Sequence, residues 1–268
     1  MRIELDGVPI NYEVSGTGPA LVLTHGLGGS LDAWQSFATA LQDRYTVLRW
    51  DVRGFGESER PSTSSRLTTL NPTAWAADLA HLLEAVGIDR AVVSGISMGG
   101  VIAQRFALDF PEKTSALVLM STSSQVGEAG RRGWEERARM VEAEGMLPLM
   151  EQSGPSIAYS EWYAREHAAE IAAAAKETAA RNDPRCYAAA ARAVSDYNYT
   201  PELPSVTCPS LILQGLEDKL TPPGGSVIMS RQIPNARLEM IEACGHGIPA
   251  EQPAECLRLL EGFLAEVS

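Results

Sequence analysis

The sequence predicts an α/β fold, a mostly parallel sheet wound between helices. Three observations lead there. Short, continuous apolar runs recur along the chain and end at loops rich in glycine, as strands buried on both faces of a parallel sheet do. Stretches with helical patterning alternate with those runs. The length of 268 residues suits one large α/β domain with a full core.

The elements follow in order. Residues 3–5 and 10–14 flank Asp6-Gly7, a hairpin signal. Residues 20–24 form an apolar run that ends at His25-Gly26, and residues 45–50 form another that ends at Asp51. Residues 32–41 read as a helix. So do residues 72–86, with Asn71 as the cap, Pro72 at the first helical position and Gly87 closing the helix. A strand at 91–94, a helix at 98–109 and a strand at 116–120 come next. Strands at 211–214 and 237–241 and a helix at 254–267 complete the series. The long polar stretch 58–71 reads as a loop at the mouth of a pocket.

Residues 123–200 interrupt the alternation. They are rich in Ala, Glu and Arg, with helical stretches at 134–144 and 163–180 and no strand. Because they fall between two sheet strands, they read as an insertion into a core domain made of residues 1–122 and 201–268. Such an insertion is expected to form a helical cap over the site.

Hydrophobic residues make up 45% and charged residues 21%, which excludes a disordered or fibrous chain. The net charge of −12 weighs against nucleic acid or anionic membranes as partners. No apolar stretch approaches the ~18 residues of a membrane span, and the start, MRIELDGVPI, has no signal-peptide pattern. Four cysteines form neither a CxxC pair nor a zinc pattern. The expectations are a cytoplasmic location with reduced thiols, no metal, no cofactor and a small-molecule partner. A homo-oligomer is left open.

The strongest chemical signal is Gly95-Ile96-Ser97-Met98-Gly99-Gly100, between a strand and a helix. A G-x-S-x-G there is a nucleophile elbow: the turn strains the serine, pushes its hydroxyl out above the sheet and leaves no room for side chains at the flanking positions. A serine hydroxyl needs a base. Of His25, His81, His167 and His246, the last sits in Cys244-Gly245-His246-Gly247, a glycine-flanked loop after the last strand. The imidazole needs an acid to fix its tautomer. Asp218, just beyond the strand at 211–214, is the best placed, with Glu217 as its competitor. The other position for an acid, after the strand at 116–120, holds Ser121-Thr122-Ser123-Ser124 and no carboxylate. Two backbone N–H donors are needed for an oxyanion. Met98 supplies one, and Leu27, in the loop His25-Gly26-Leu27-Gly28-Gly29, supplies the other. Gly26 lets the backbone come close to a substrate. In the insertion, Trp134 and Arg137 lie three residues apart and share a helix face. With Trp162 they are the expected substrate-binding residues.

Taken together, the sequence resembles the α/β-hydrolase family over nearly its whole length. The motifs that carry the likeness are His25-Gly26, Asp51-Val52-Arg53-Gly54-Phe55-Gly56-Glu57-Ser58, Gly95 to Gly100, Asp218-Lys219-Leu220-Thr221-Pro222, Gly245-His246-Gly247 and Glu251-Gln252-Pro253. The order Ser97, Asp218, His246 is that of the family. Within the family the sequence is most similar to the 3-oxoadipate enol-lactonase group, through Val47-Leu48-Arg49-Trp50-Asp51-Val52-Arg53-Gly54, Trp134-Glu135-Glu136-Arg137 and Asp183-Pro184-Arg185-Cys186-Tyr187. The resemblance implies an eight-stranded, mostly parallel sheet flanked by helices. It also implies a serine hydrolase that cleaves a small ester or lactone through an acyl-enzyme, with Arg137 suited to a substrate carboxylate. Ser97 excludes the aspartate-nucleophile chemistry of dehalogenases and epoxide hydrolases. A carbon–carbon bond hydrolase and a cofactor-free perhydrolase stay open on the same scaffold. A non-catalytic ligand receptor is the alternative of another class.

Overall fold

A computed structural model describes residues 1–5, 7–153 and 155–267, without the side chains of Ser64, Gln152, Ser153, Pro155 and Ser156. Asp6, half of the expected hairpin signal, lies outside the described residues. The strands are β1 (Arg2–Leu5), β2 (Val8–Ser15), β3 (Ala20–Thr24), β4 (Thr46–Trp50), β5 (Ala91–Ile96), β6 (Thr114–Met120), β7 (Ser210–Gly215) and β8 (Ala236–Ile241). They form one eight-stranded sheet in the order β1-β2-β4-β3-β5-β6-β7-β8. β1 pairs with β2, and β2 with β4, antiparallel, and every pairing from β4 to β8 is parallel.

Alternation along each strand feeds two layers. Val22, Val93, Leu117, Leu119 and Ile212 point into one core, against α3 (Pro72–Ala85) and α4 (Met98–Asp109). Leu21, Leu23, Val92, Val118, Leu211 and Leu213 point into the other, against α1 (Gln35–Leu41) and the closing helix. Burying each such side chain stabilises the fold by ~1.5–3 kcal/mol before chain entropy is counted. Asn71 caps α3 as expected, its side chain accepting a hydrogen bond from Ala74 N.

Some boundaries differ from the sequence reading. The helix expected at 32–41 opens as a 3-10 turn over Leu31–Trp34 before α1. The polar stretch 58–71 holds one turn of helix, α2 (Ser64–Leu67). Between β6 and β7 run α5 (Glu128–Glu144), α6 (Met146–Ser153), α7 (Pro155–Ala158), α8 (Glu161–Glu166), α9 (Ala168–Arg181) and α10 (Pro184–Ala193). The single helix expected at 163–180 is therefore two, broken at His167, whose φ is −112° and ψ 24°. Its ring stacks on Tyr163 with centroids 4.2 Å apart. Composition could not show this break, because good helix formers lie on both sides of it. α11 (Gly224–Gln232), α12 (Ile248–Glu251) and α13 (Pro253–Val267) complete the chain. No described helix is long and apolar enough to cross a membrane.

The strand order reverses around β3, which has β4 on one side and β5 on the other. In an open α/β sheet, such a switch point opens a crevice at the carboxyl ends of the strands. The loops after β3 and β5 begin there with His25-Gly26 and Ser97.

Candidate active site

β5 runs into Ser97, whose φ of 54° and ψ of −117° lie in a region that costs a non-glycine residue ~1–3 kcal/mol. The surroundings enforce it. Ser97 N donates to Met120 O at 2.9 Å, and Ser97 O accepts from Gly100 N at 2.9 Å and Val101 N at 3.1 Å. Thr122 Oγ1 donates to the same carbonyl at 3.0 Å. The flanking glycines are a matter of space: a methyl on Gly99 would stand 2.3 Å from Thr24 O, and one on Gly95 2.2 Å from Gly99 C.

The loop after β3 is aimed through a single peptide. Gly26 O accepts from His25 Nδ1 at 2.8 Å and from Gly29 N at 3.0 Å. In a trans peptide the next N–H points away from that carbonyl, so the two donors fix the direction of Leu27 N–H. The bonds to Ser97 O fix Met98 N–H in the same way. Neither N–H donates to a described residue. Gly26 borders the serine, since a methyl built on it would lie 3.5 Å from Ser97 Cβ. His25 is fully buried, and its Nε2 accepts from Val52 N at 3.0 Å. That leaves Nδ1 as the donor and the ring neutral. Burial holds its pKa below 6.5, although Gly26 O and Asp51 pull the other way. Asp51 in turn accepts from Leu31 N at 2.7 Å, Glu57 N at 2.8 Å and Asn11 Nδ2 at 2.8 Å. The loops after β3 and β4 are thereby locked to each other.

In the loops after β7 and β8, His246 Nδ1 lies 2.9 Å from Asp218 Oδ2, with the imidazole 12% exposed and the carboxylate fully buried. Asp218 also accepts from Leu220 N at 2.9 Å, Thr221 N at 2.8 Å, Thr221 Oγ1 at 2.7 Å and Gln214 Nε2 at 3.2 Å. Burial pushes this carboxyl up, but the hydrogen bonds from His246 and Thr221 outweigh it and hold the pKa below the ordinary value. It is therefore ionised at neutral pH. Glu217 turns the other way, and its Oε2 accepts from Glu161 N at 3.2 Å.

Of the remaining expected residues, Trp134 and Arg137 share a face of α5, with Arg137 Cζ 5.4 Å from the indole centre. They line a cavity of about 390 Å³ with Met140, Leu149, Ile157 and Leu220, the last two residues from Asp218. The Arg137 guanidinium also opposes the upward push of burial on the Tyr187 phenol, and a methyl on Gly28 would lie 3.2 Å from Tyr187 Cε2. Trp162 is not in this cavity. Its Nε1 donates to Ala243 O at 2.7 Å, and it lines a surface groove beside Leu216, Glu217 and Lys219. The sequence pattern singles out neither Thr122 nor Thr221. Thr122 stands in a run that offers no carboxylate, and Thr221 lies three residues past Asp218. Among the described residues, no group of three or more His, Cys, Asp or Glu is placed to hold a metal ion, and the four cysteines are unpaired.

The pattern of the family described as alpha/beta hydrolase fold matches residues 19–253. The chain is 30% identical over 251 residues to 3-oxoadipate enol-lactonase 2 of Acinetobacter baylyi, covering 92% of this chain and 89% of that one. Among solved structures, a thermophilic esterase from Thermogutta terrifontis superposes with a TM-score of 0.89 at 28% identity, covering 100% of this chain and 99% of the other. The enol-lactonase of Burkholderia xenovorans LB400 superposes with a TM-score of 0.90 at 24% identity, covering 99% and 100%. At that identity the likeness shows the fold alone.

Proposed function

The chain belongs to the alpha/beta hydrolase family, and on that premise we propose that it hydrolyses a small ester or lactone through an acyl-enzyme on Ser97. The observation that carries this reading is the 2.9 Å contact of His246 Nδ1 with the buried, ionised Asp218, in a chain whose Ser97 is held at a strained elbow. The carboxylate fixes the imidazole tautomer and leaves Nε2 to take the proton from Ser97 Oγ as the oxygen attacks the carbonyl carbon. The charge that develops on the carbonyl oxygen is met by Leu27 N–H and Met98 N–H. The imidazolium then gives its proton to the leaving alkoxide, and water repeats the cycle on the acyl-enzyme.

A fluorophosphonate probe should label the protein at Ser97. Ser97→Ala should abolish labelling and lower kcat by ~10⁴ or more while the far-UV dichroism is unchanged. Labelling that survives the substitution overturns the reading.

The enol-lactonase and esterase relatives support a carbonyl substrate, and Arg137, which lines a cavity with Trp134 and Glu136, suits one that carries a carboxylate. Arg137 has no carboxylate partner among the described residues within ion-pair distance, so its fork is available to an anionic ligand. Arg137→Ala and Trp134→Ala should raise KM for a carboxylated lactone by ~10-fold or more and change KM little for p-nitrophenyl acetate. Equal effects on both substrates mean that the pair serves packing.

A further inference from the structure

The loop that carries His246 makes its backbone bonds outside the sheet. Glu251, at the end of α12, is 4% exposed, and its carboxylate points back at that loop. Its oxygens accept from Gly245 N at 3.0 Å, Gly247 N at 3.1 Å and Ser160 N at 2.8 Å. The N–H between the two glycines, that of His246 itself, donates to Ala158 O at 3.0 Å. Three consecutive N–H groups are therefore held, two by one carboxylate and one by the backbone of the insertion. Ser160, from the same stretch of the insertion, closes the ring.

We propose that Glu251 is a positioning residue for His246, and that it works by tying the histidine loop to residues 158–160 of the insertion. Hydrogen bonds from backbone N–H to an ionised carboxylate are stronger than neutral ones. These end on the peptides at both sides of the imidazole-bearing residue. The contact is close on the insertion side as well. A methyl on Gly245 would stand 2.6 Å from Ser160 N, and one on Gly247 2.9 Å from Tyr159 Cε1. Where the insertion is seated thus sets where the imidazole stands. A displacement of ~1 Å at a reacting group costs about 10²-fold in rate. No cation lies within ion-pair distance of Glu251 among the described residues, so backbone donors alone fix its direction.

This inference rests on the serine reading, and its test separates the two. Glu251→Gln keeps the shape and one acceptor but presents an NH₂ to donors. Active sites are titrated with the fluorophosphonate probe, and turnover of p-nitrophenyl acetate is then expressed per titrated site. The expected result is a kcat per site lower by ~10–100-fold with KM within about twofold. A purely structural role would lower the melting temperature or the titrated fraction and leave kcat per site at the wild-type value, and that outcome overturns the proposal. If wild-type protein takes no label at Ser97, the serine reading fails, and the inference with it. Should Glu251→Gln not fold, Gly247→Ala presses on Tyr159 while leaving the carboxylate intact. It should lower kcat per site by ~3–10-fold, and wild-type kcat there overturns the proposal as well.

Discussion

His25 and Asp51 hold the loop after β3, the proposed oxyanion loop, with side chains from the sheet's own connections. Asp51 alone ties Leu31, Glu57 and Asn11 together. The histidine loop is held differently, by Ala158 O of the insertion and by Glu251, whose carboxylate Ser160 N ties to the insertion. Side chains of the insertion do reach the oxyanion loop: Asn182 Nδ2 donates to Gly28 O at 2.9 Å. Yet the peptide that aims Leu27 N–H is pinned by His25 and Gly29. The contrast teaches that the half of the site proposed to stabilise charge is built into the rigid core. The half proposed to move protons leans on the helices inserted between β6 and β7. Electrostatic preorganisation requires donors that do not move, whereas a base that depends on the insertion can respond to what the insertion binds.

The largest expected effect tests the proton-moving half. Asp218→Asn should lower kcat by about 10⁴ through the wrong imidazole tautomer, with little change in KM. Glu217→Gln, which alters only the bond to Glu161 N, should change kcat by less than ~3-fold. Steady-state kinetics on p-nitrophenyl acetate decide the matter. A reversed order would move the acid to Glu217 and undo the geometry of this half.

The next tests the rigid half through stability. His25→Ala leaves Val52 N–H without its partner and Gly26 O with the Gly29 N–H alone, at a cost of ~1–3 kcal/mol for the orphaned buried donor, so the melting temperature should fall by several degrees. The effect carries a pH signature. Burial lowers the His25 pKa from 6.5, so below that value the unfolded chain binds a proton that the folded protein resists. The stability contributed by neutral His25 is full above pH 6.5 and is lost as pH falls from 6.5 toward the lower folded value. The gap in melting temperature between wild type and His25→Ala should therefore narrow from pH 7.5 to pH 5.5. The other three histidines are common to both proteins and cancel. A gap that widens would mean that His25 is charged in the fold.

These two halves were not equally legible. The elbow, and the loop and carboxylate proposed to serve it, carry signals in the sequence because each is local. Gly95 and Gly99 lie within two residues of Ser97, and their need is steric. Asp218 stands just after a strand whose apolar run marks it. The bonds from His246 N to Ala158 O and from Ser160 N to the Glu251 carboxylate join positions about ninety residues apart and draw on backbone N–H and C=O groups, which nearly every residue type carries. No side-chain pattern records them. Glu251 was visible as part of a family motif, but its partners were not. Trp162 looked like a pocket aromatic, yet its indole donor is satisfied by Ala243 O, a carbonyl that no sequence pattern identifies.

The smallest expected effect probes where the halves meet. Asn182, just past α9, donates to both Gly28 O at 2.9 Å and Thr178 O at 2.8 Å, so the insertion hydrogen bonds this loop through an amide that stands beside the Tyr187 ring. Gly28 lies one residue beyond Leu27, outside the peptide that His25 and Gly29 pin. If the core alone aims Leu27 N–H, Asn182→Ala should lower stability by ~0.5–1.5 kcal/mol and lower kcat by less than ~3-fold, with KM for p-nitrophenyl acetate unchanged. Thermal melts and steady-state kinetics on the same preparation read both. A kcat loss of ~10²-fold or more, the size expected for removing an oxyanion donor, would show that the insertion aims this half too. The division between a core-built and an insertion-built half would then give way to a site seated as a whole by the insertion.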